Sequence, residues 1–459
     1  MDFQGKKVLI VGMARSGMAA ARLLCGKGAE VSLFDAKSAE ALGEKLAELS
    51  DLPLTLILGA EPAEEVLASF EYLILSPGVA PDQPMVEKAA SHGAAVWGEV
   101  ELAWLFAKAP VIGITGTNGK TTTVSLCTEL VKACFPGTVA AGNIGTAYSE
   151  VTEQVEAPDW VVDELSSFQL EMTKTFRPKI SAMLNITPDH LNRLHTMENY
   201  VGAKMKVFAN QGSGDFAVLN ADDPYCVKMG GELIAKENGP EVIWFSRRIR
   251  PGKGVWTEDG RFYSNLKREN EELGEIAKMP LFGSHNEENA LAAIACALCA
   301  GVPAEAIAEP LYAFRGVEHR IEYTATVDGV RYFNDSKATN PESAVKGLLA
   351  MPAPTVLIGG GMDKKIPFDD WCELFPGRVR RLILLGETRE IIRECALRHG
   401  YPEENIETVA TLEEAVGACR LAAQPGDCVL LSPACASWDM FESYEVRGRL
   451  FKDLVRAFQ

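Results

Sequence analysis

The stretch Gly113 to Thr123, reading GITGTNGKTTT, limits what this chain can fold into more than any other segment. Apolar Val111, Ile112 and Ile114 lead into it, and a helix-compatible run from Val124 to Ala133 leads out. The order is strand, glycine-containing loop, helix. Backbone N–H groups of such a loop cradle phosphate oxygens, a lysine adds a point charge on the terminal phosphates, and a neighbouring hydroxyl can ligate Mg²⁺. Gly116, Thr117, Asn118 and Gly119 would form the cradle, with Lys120, Thr121 and Thr122 opening the helix. A strict P-loop pattern places its first glycine where Ile114 stands, with Gly113 and Gly116 on either side here. A chance glycine turn is the alternative, and Lys120-Thr121 in this setting weighs against it. The segment reads as a nucleoside-triphosphate site.

At 459 residues the chain is too long for one ordinary domain, and roughly three are expected. Breaks near Lys108-Ala109-Pro110 and over Phe314 to Arg320 divide it into 1–108, 109–314 and 315–459. A formal net charge of -18 argues against nucleic acid or an anionic membrane surface as partner. It permits a phosphorylated ligand, because local cations and Mg²⁺ offset the global field. No apolar stretch reaches the roughly 18 residues of a membrane span, and Met1 to Gly5 leads straight into a strand, so a soluble cytoplasmic protein is expected. Eleven cysteines scattered through apolar runs suit reduced, buried thiols. Cys296 and Cys299 form a CxxC inside a helix-like run with no second pair, which reads as a structural helix face.

In chain order, Lys7 to Val11 reads as a strand, then Gly12-Met13-Ala14-Arg15-Ser16-Gly17, a helix to about Lys27, and a strand from Glu30 ending on Asp35. This is close to a dinucleotide-binding fingerprint, with Ala14 in place of the middle glycine. A diphosphate nucleotide held differently and a structural turn are both open. Read alone as a nicotinamide site, it would leave Lys120 and everything beyond it unemployed. Tyr72 to Leu75 is a further strand, with Ser76, Pro77 and Gly78 at the carboxyl end where open α/β sheets bind ligands. Beyond the loop helix, Thr138 to Ala141 is a strand followed by Asn143. Trp160 to Asp163 is another, running into Glu164, an acid placed to reach Mg²⁺ unless it is merely a solvated terminus. Ser181 to Ile186 ends near His190, and a helix over Asn199 to Phe208 carries Lys204 among small and apolar neighbours. Residues 211–280 show little periodicity, and His285 to Asn289 opens an apolar helix. Thr355 to Ile358, Arg381 to Leu385 and Cys428 to Leu431 read as buried strands of a second open α/β domain.

The ordered segments GTNGKTT, ELSSFQLE, NITPDHLNR, GSHNEENALAA, EHR, NDSKATN and SPACAS resemble the ATP-dependent Mur ligases of bacterial cell-wall synthesis, which share ancestry with folylpolyglutamate synthetase. The resemblance spans nearly the whole chain, and NDSKATN with SPACASWDMF points to the branch that adds D-glutamate. It implies an α/β fold of three domains: a Rossmann-like N-terminal domain for a UDP-sugar, a P-loop ATPase-type central domain, and a Rossmann-like C-terminal domain for the amino acid. The implied reaction phosphorylates the alanyl carboxylate of UDP-N-acetylmuramoyl-L-alanine with ATP. The amine of D-glutamate then attacks the acyl phosphate, in the precursor synthesis that supports cell shape and division. Lys120 would stabilise the β- and γ-phosphates, and Thr121 with Glu164 would hold one Mg²⁺. His190 would bind a second with Lys204, which the family carbamylates. Asn143 and His190 would lie near the reacting carboxylate. Asn286, Arg320, Asp335 and Lys337 would contact ATP. Ser16, Asp35, Ser76, Pro77 and Gly78 would hold the UDP moiety, and Thr339, Lys364, Ser437 and Tyr444 would surround the glutamate. A monomer is expected.

Overall fold

The computed structural model describes residues 1–281 and 283–458. They form two compact units, Met1–Ala277 with Glu287–Leu311, and Lys278–Asn286 with the chain from Tyr312 onward. The first unit contains two sheets. One has five parallel strands in the order Leu54–Leu58, Glu30–Asp35, Lys7–Val11, Tyr72–Leu75, Ala95–Gly98. Val8, Leu9 and Ile10 are fully buried in succession, as expected of a parallel strand covered on both faces. Strand order reverses between Lys7–Val11 and Tyr72–Leu75, so the Gly12 and Ser76 loops meet at a topological switch point.

The second sheet has nine strands. Its parallel part runs Gly254–Glu258, Glu241–Ser246, Phe216–Asn220, Ile180–Met183, Val111–Thr115, Val161–Glu164, Val139–Gly142. Arg261–Ser264 and Glu271–Glu275 extend it antiparallel. These two, with three of the parallel strands, occupy the region whose sequence showed little periodicity. The strand expected to reach Ile186 leaves the ladder after Met183, because Asn185 turns to exchange hydrogen bonds with the Asn118 backbone. The Lys204 helix begins at Met197, capped by Thr196, whose hydroxyl accepts from Asn199 N.

The second unit has a six-stranded sheet, ordered Glu322–Val327, Val330–Asn334, Cys428–Leu431, Thr355–Gly359, Val379–Leu384, Ile406–Thr408. The first two strands form a hairpin turned by Asp328-Gly329, both at positive φ. Asx-Gly between two apolar runs is a hairpin signal, but neither strand of this pair is among those assigned from the sequence. No helix among the described residues is long and apolar enough to cross a membrane.

Within the first unit, the buried Glu101 carboxylate accepts from the backbone N–H groups of Lys174, Thr175 and Phe176 at 2.8, 2.8 and 3.1 Å, and from the Thr175 hydroxyl. Removing that acceptor strands several donors at once. Glu101→Ala is therefore expected to destabilise the unit by about 3 kcal/mol or more, read as a lower midpoint of its unfolding transition in urea. An unshifted midpoint would contradict this anchoring.

Candidate active site

The loop Gly116 to Gly119 lies at the carboxyl end of Val111–Thr115, a central strand of the nine-stranded sheet. Gly119 precedes the helix Lys120–Lys132 at φ +85°, and a Cβ there would stand 2.1 Å from Asn289 Oδ1. Only glycine satisfies both demands. Lys120 Nζ donates to the carbonyls of Gly116 and Thr117, each at 2.9 Å. Lys204 Nζ reaches the same Gly116 carbonyl at 2.8 Å. Two lysines thus converge on one loop oxygen. Lys204 is 2 % exposed, and burial first, then the Lys120 charge, hold its amine well below the usual lysine range. Lys204 is thus a buried lysine, although a helix position among small neighbours is equally open to a solvated one.

Glu164 ends the adjacent strand in register with Ile114. It is 1 % exposed, not a solvated strand terminus. Asn143 Nδ2 donates to its Oε1 at 2.9 Å, and its Oε2 is buried with no hydrogen-bond partner. A bare carboxylate oxygen on a strand packed against the helix that Lys120 and the buried Thr121 open is a donor set that a hard divalent cation satisfies. Behind it Asp163 is fully buried, and burial first, then Glu99 and Glu164, push its carboxyl well up.

His190 caps a short helix at φ +54°, its ring 4.8 Å from that of Phe168 and its Nε2 3.4 Å from Asp189. Three residues on, the Arg193 guanidinium lies 4.0 Å over Phe168 and donates to the carbonyls of Pro77 and Val79 at 2.7 and 3.2 Å. Arg193 therefore ties the His190 segment to the Ser76-Pro77-Gly78 loop of the five-stranded sheet. Across the switch point, Ser76 Oγ donates to Gly12 O at 2.9 Å. Gly12 has φ +99°, and a Cβ would meet the Ser76 side chain at 2.9 Å. Asp35 accepts from the backbone of Met13 and Lys37, so it shapes the Gly12 loop directly. Ser16 lies half-buried in the first turn of Arg15–Gly26. A cleft of about 840 Å³ opens there, lined by Ala14, Arg15, Arg22, Lys45, Gly145 and Thr146 among others.

The second unit gathers its own cluster at the carboxyl ends of its strands. Asp335 is buried against the Ser432 hydroxyl, which donates at 2.7 Å, and burial pushes its carboxyl up to about 7. Lys337 Nζ sits 5.8 Å from the centre of the Tyr444 ring. Lys364 is exposed, donates to Thr339 O at 3.1 Å and lies 6.0 Å from the Trp438 ring centre. Ser437 is buried next to Trp438, which is 67 % exposed. Arg320 follows His319 and is exposed, and Asn286 lies buried in the first turn of Ser284–Cys299.

Residues that the sequence reading passed over complete both clusters. Thr117 Oγ1 meets Tyr200 Oη at 2.9 Å, and Asn289 reaches Thr123. In the second unit, the buried Arg447 binds the Ser336 hydroxyl and carbonyl, each at 2.9 Å. The buried His319 Nδ1 lies 2.9 Å from Asn334 Nδ2. Asn185, Asn289 and His319 stand inside polar clusters already visible as motifs. Tyr200 and Arg447 have no local signal.

The sequence matches three family descriptions in order: Mur ligase MurD-like, N-terminal domain, over residues 6–98; Mur ligase middle domain over 114–297; and Mur ligase, glutamate ligase domain, over 319–435. It is 44 % identical over 455 residues to the UDP-N-acetylmuramoylalanine--D-glutamate ligase of Caldanaerobacter subterraneus subsp. tengcongensis, covering 99 % of each chain. It is also 44 % identical over 458 residues to the ligase of the same name from Pelotomaculum thermopropionicum, covering 100 % of this chain and 99 % of that one. Among solved structures, MurF from Acinetobacter baumannii shares the fold, with TM-score 0.60, 15 % identity, and coverage of 97 % of this chain and 93 % of that one.

Proposed function

Because this chain belongs to the Mur ligase family, we propose that it joins D-glutamate to UDP-N-acetylmuramoyl-L-alanine at the expense of ATP, in cytoplasmic peptidoglycan precursor synthesis. The relatives of that name match end to end. The observation that best supports the chemistry is the convergence of Lys120 and Lys204 on the Gly116 carbonyl, in the loop whose neighbouring strand ends on the buried Glu164.

A carboxylate is a poor electrophile, so the alanyl carboxylate first takes the γ-phosphoryl group of ATP, releasing ADP. The neutral amine of glutamate then attacks the acyl carbon; phosphate leaves with the C–O bond electrons, and the nitrogen sheds a proton. Lys120 and the loop N–H groups hold the phosphates in line. Thr121 and Glu164 would hold one Mg²⁺, which when bound spreads the charge developing on the transferred phosphoryl group. A second site would be formed by His190 and a carbamylated Lys204. The displaced pKa of Lys204 favours the neutral amine that attacks CO₂, and the carbamate would replace a repelling cation with an anionic oxygen donor. Asn143, which donates to Glu164, would position the reacting carboxylate.

The Gly12 loop, Ser16, Asp35 and Ser76 to Gly78 would take the UDP moiety, with Arg193 a positioning residue for the Pro77 loop. Asn286, Arg320, Asp335 and Lys337 would contact ATP. Thr339, Lys364, Ser437 and Tyr444 would surround the glutamate. For Lys364 the family match supports the role, since by exposure alone it is a surface lysine. Lys364→Ala is expected to raise KM for D-glutamate by about one to two decades, the cost of losing a charge-assisted contact. KM for ATP should change little. Parallel rises in both constants would reject this placement.

A further inference from the structure

In the second unit, the one-turn helix Asp369–Cys372 packs against the helix Arg389–Arg398. Asp369 and Cys372 are three residues apart on the first, and Cys395 and His399 four apart along the second, so each pair shares a face. One ligand atom from each of Asp369, Cys395 and His399 lies within 4.8 Å of the other two. His399 Nε2 is 3.0 Å from Asp369 Oδ1, and Cys372 is buried in the same cluster of side chains as Cys395. Both cysteines are buried, whereas the Asp369 and His399 side chains are 50 % and 28 % exposed. Two thiols therefore line the inner side of the cluster, and an imidazole and a carboxylate close its solvent side. None of the four is used by the ligase chemistry.

We propose that Asp369, Cys372, Cys395 and His399 form a tetrahedral site for Zn²⁺ that staples these two helices together. Sulfur, nitrogen and oxygen donors in this number suit a borderline-soft divalent cation, and ligand bonds of about 2.0–2.3 Å require donor atoms roughly 3.3–3.8 Å apart. Asp369, Cys395 and His399 already gather within 4.8 Å, and Cys372, on the same face as Asp369, would supply the fourth donor. Binding would take the place of the His399–Asp369 hydrogen bond and release the two thiol protons to solvent. The resulting single negative charge lies beside Arg398, whose Nη2 is 3.4 Å from Asp369. The segment from Gly359 through Lys364 runs directly into Asp369, so the staple would anchor one end of the Lys364 loop. The bland alternative is an Asp–His ion pair above two structural thiols.

The test uses the full chain, purified with a non-thiol reductant, stripped with a chelator and titrated with Co²⁺. The expected result is a thiolate-to-cobalt charge-transfer band that saturates at one ion per chain, is bleached by Zn²⁺ and is unaffected by Mg²⁺. Oxygen-rich sites such as Glu164 give no such band. Cys395→Ser should weaken the band to that of a single thiolate, and replacing both Cys372 and Cys395 by serine should abolish it. His399→Gln changes only a solvent-side group and should fold normally, yet weaken Co²⁺ binding and shift the visible spectrum. No charge-transfer band in the unsubstituted protein would overturn the proposal, as would a spectrum and affinity unchanged in His399→Gln. So would oxidation of Cys372 and Cys395 to a disulfide with no metal uptake by the reduced chain.

Discussion

Lys204→Ala is expected to lower turnover by about 10²–10³-fold, and a short carboxylic acid such as acetate should restore part of it. The argument starts from burial. A lysine that is 2 % exposed and faces the Lys120 ammonium is poorly placed to carry a proton, and its amine is held well below the usual range. A neutral amine in that position is a nucleophile toward CO₂, and the carbamate formed is an anion where a cation had been. The alanine variant loses those oxygens, which acetate can supply from solution. Were Lys204 only a hydrogen-bond donor to Gly116, alanine would still impair the loop but no carboxylate could repair it. An undiminished rate, or a loss that no carboxylic acid relieves, would contradict the carbamate role. The unsubstituted enzyme should also respond to bicarbonate after exhaustive removal of CO₂.

Lys120→Ala is expected to reduce turnover by a comparable or larger factor, about 10³-fold, while leaving affinity for the UDP-sugar nearly unchanged. Lys120 closes the loop of the nine-stranded sheet by binding the Gly116 and Thr117 carbonyls. The UDP moiety is assigned to the Gly12 and Ser76 loops of the five-stranded sheet, a different sheet from the one that carries Lys120. The two losses should therefore separate in calorimetry. Equal loss of UDP-sugar and ATP affinity would reject that division of labour.

The parts legible in the sequence were those where local pattern and chemistry coincide. The strand before Gly116, the helix after it and the strand-end positions of Asp35, Ser76 and Glu164 follow from runs of apolar residues interrupted by small or polar ones. What local pattern could not give was burial set by distant partners. Glu164 reads as a solvated terminus until Asn143 and the neighbouring strands enclose it, and Lys204 reads as a surface lysine until it reaches Gly116, 88 residues away. Tyr200 meets Thr117 across 83 residues and Asn289 meets Thr123 across 166, separations at which spacing carries no information. Lys364 is the reverse case. It is exposed, so neither periodicity nor burial distinguishes it, and only the family pattern assigns it a ligand.

The central claim is the identity of the bond formed, and acceptor-dependent phosphate release tests it most directly. With ATP, Mg²⁺ and UDP-N-acetylmuramoyl-L-alanine fixed, D-glutamate, L-glutamate, L-lysine and meso-diaminopimelate are compared as acceptors. Several contacts around one α-carbon cannot all be met by both enantiomers, so D-glutamate alone should drive stoichiometric phosphate release and amide formation. Equal use of L-glutamate, preference for a diamino acid, or phosphate release that ignores the acceptor would contradict it.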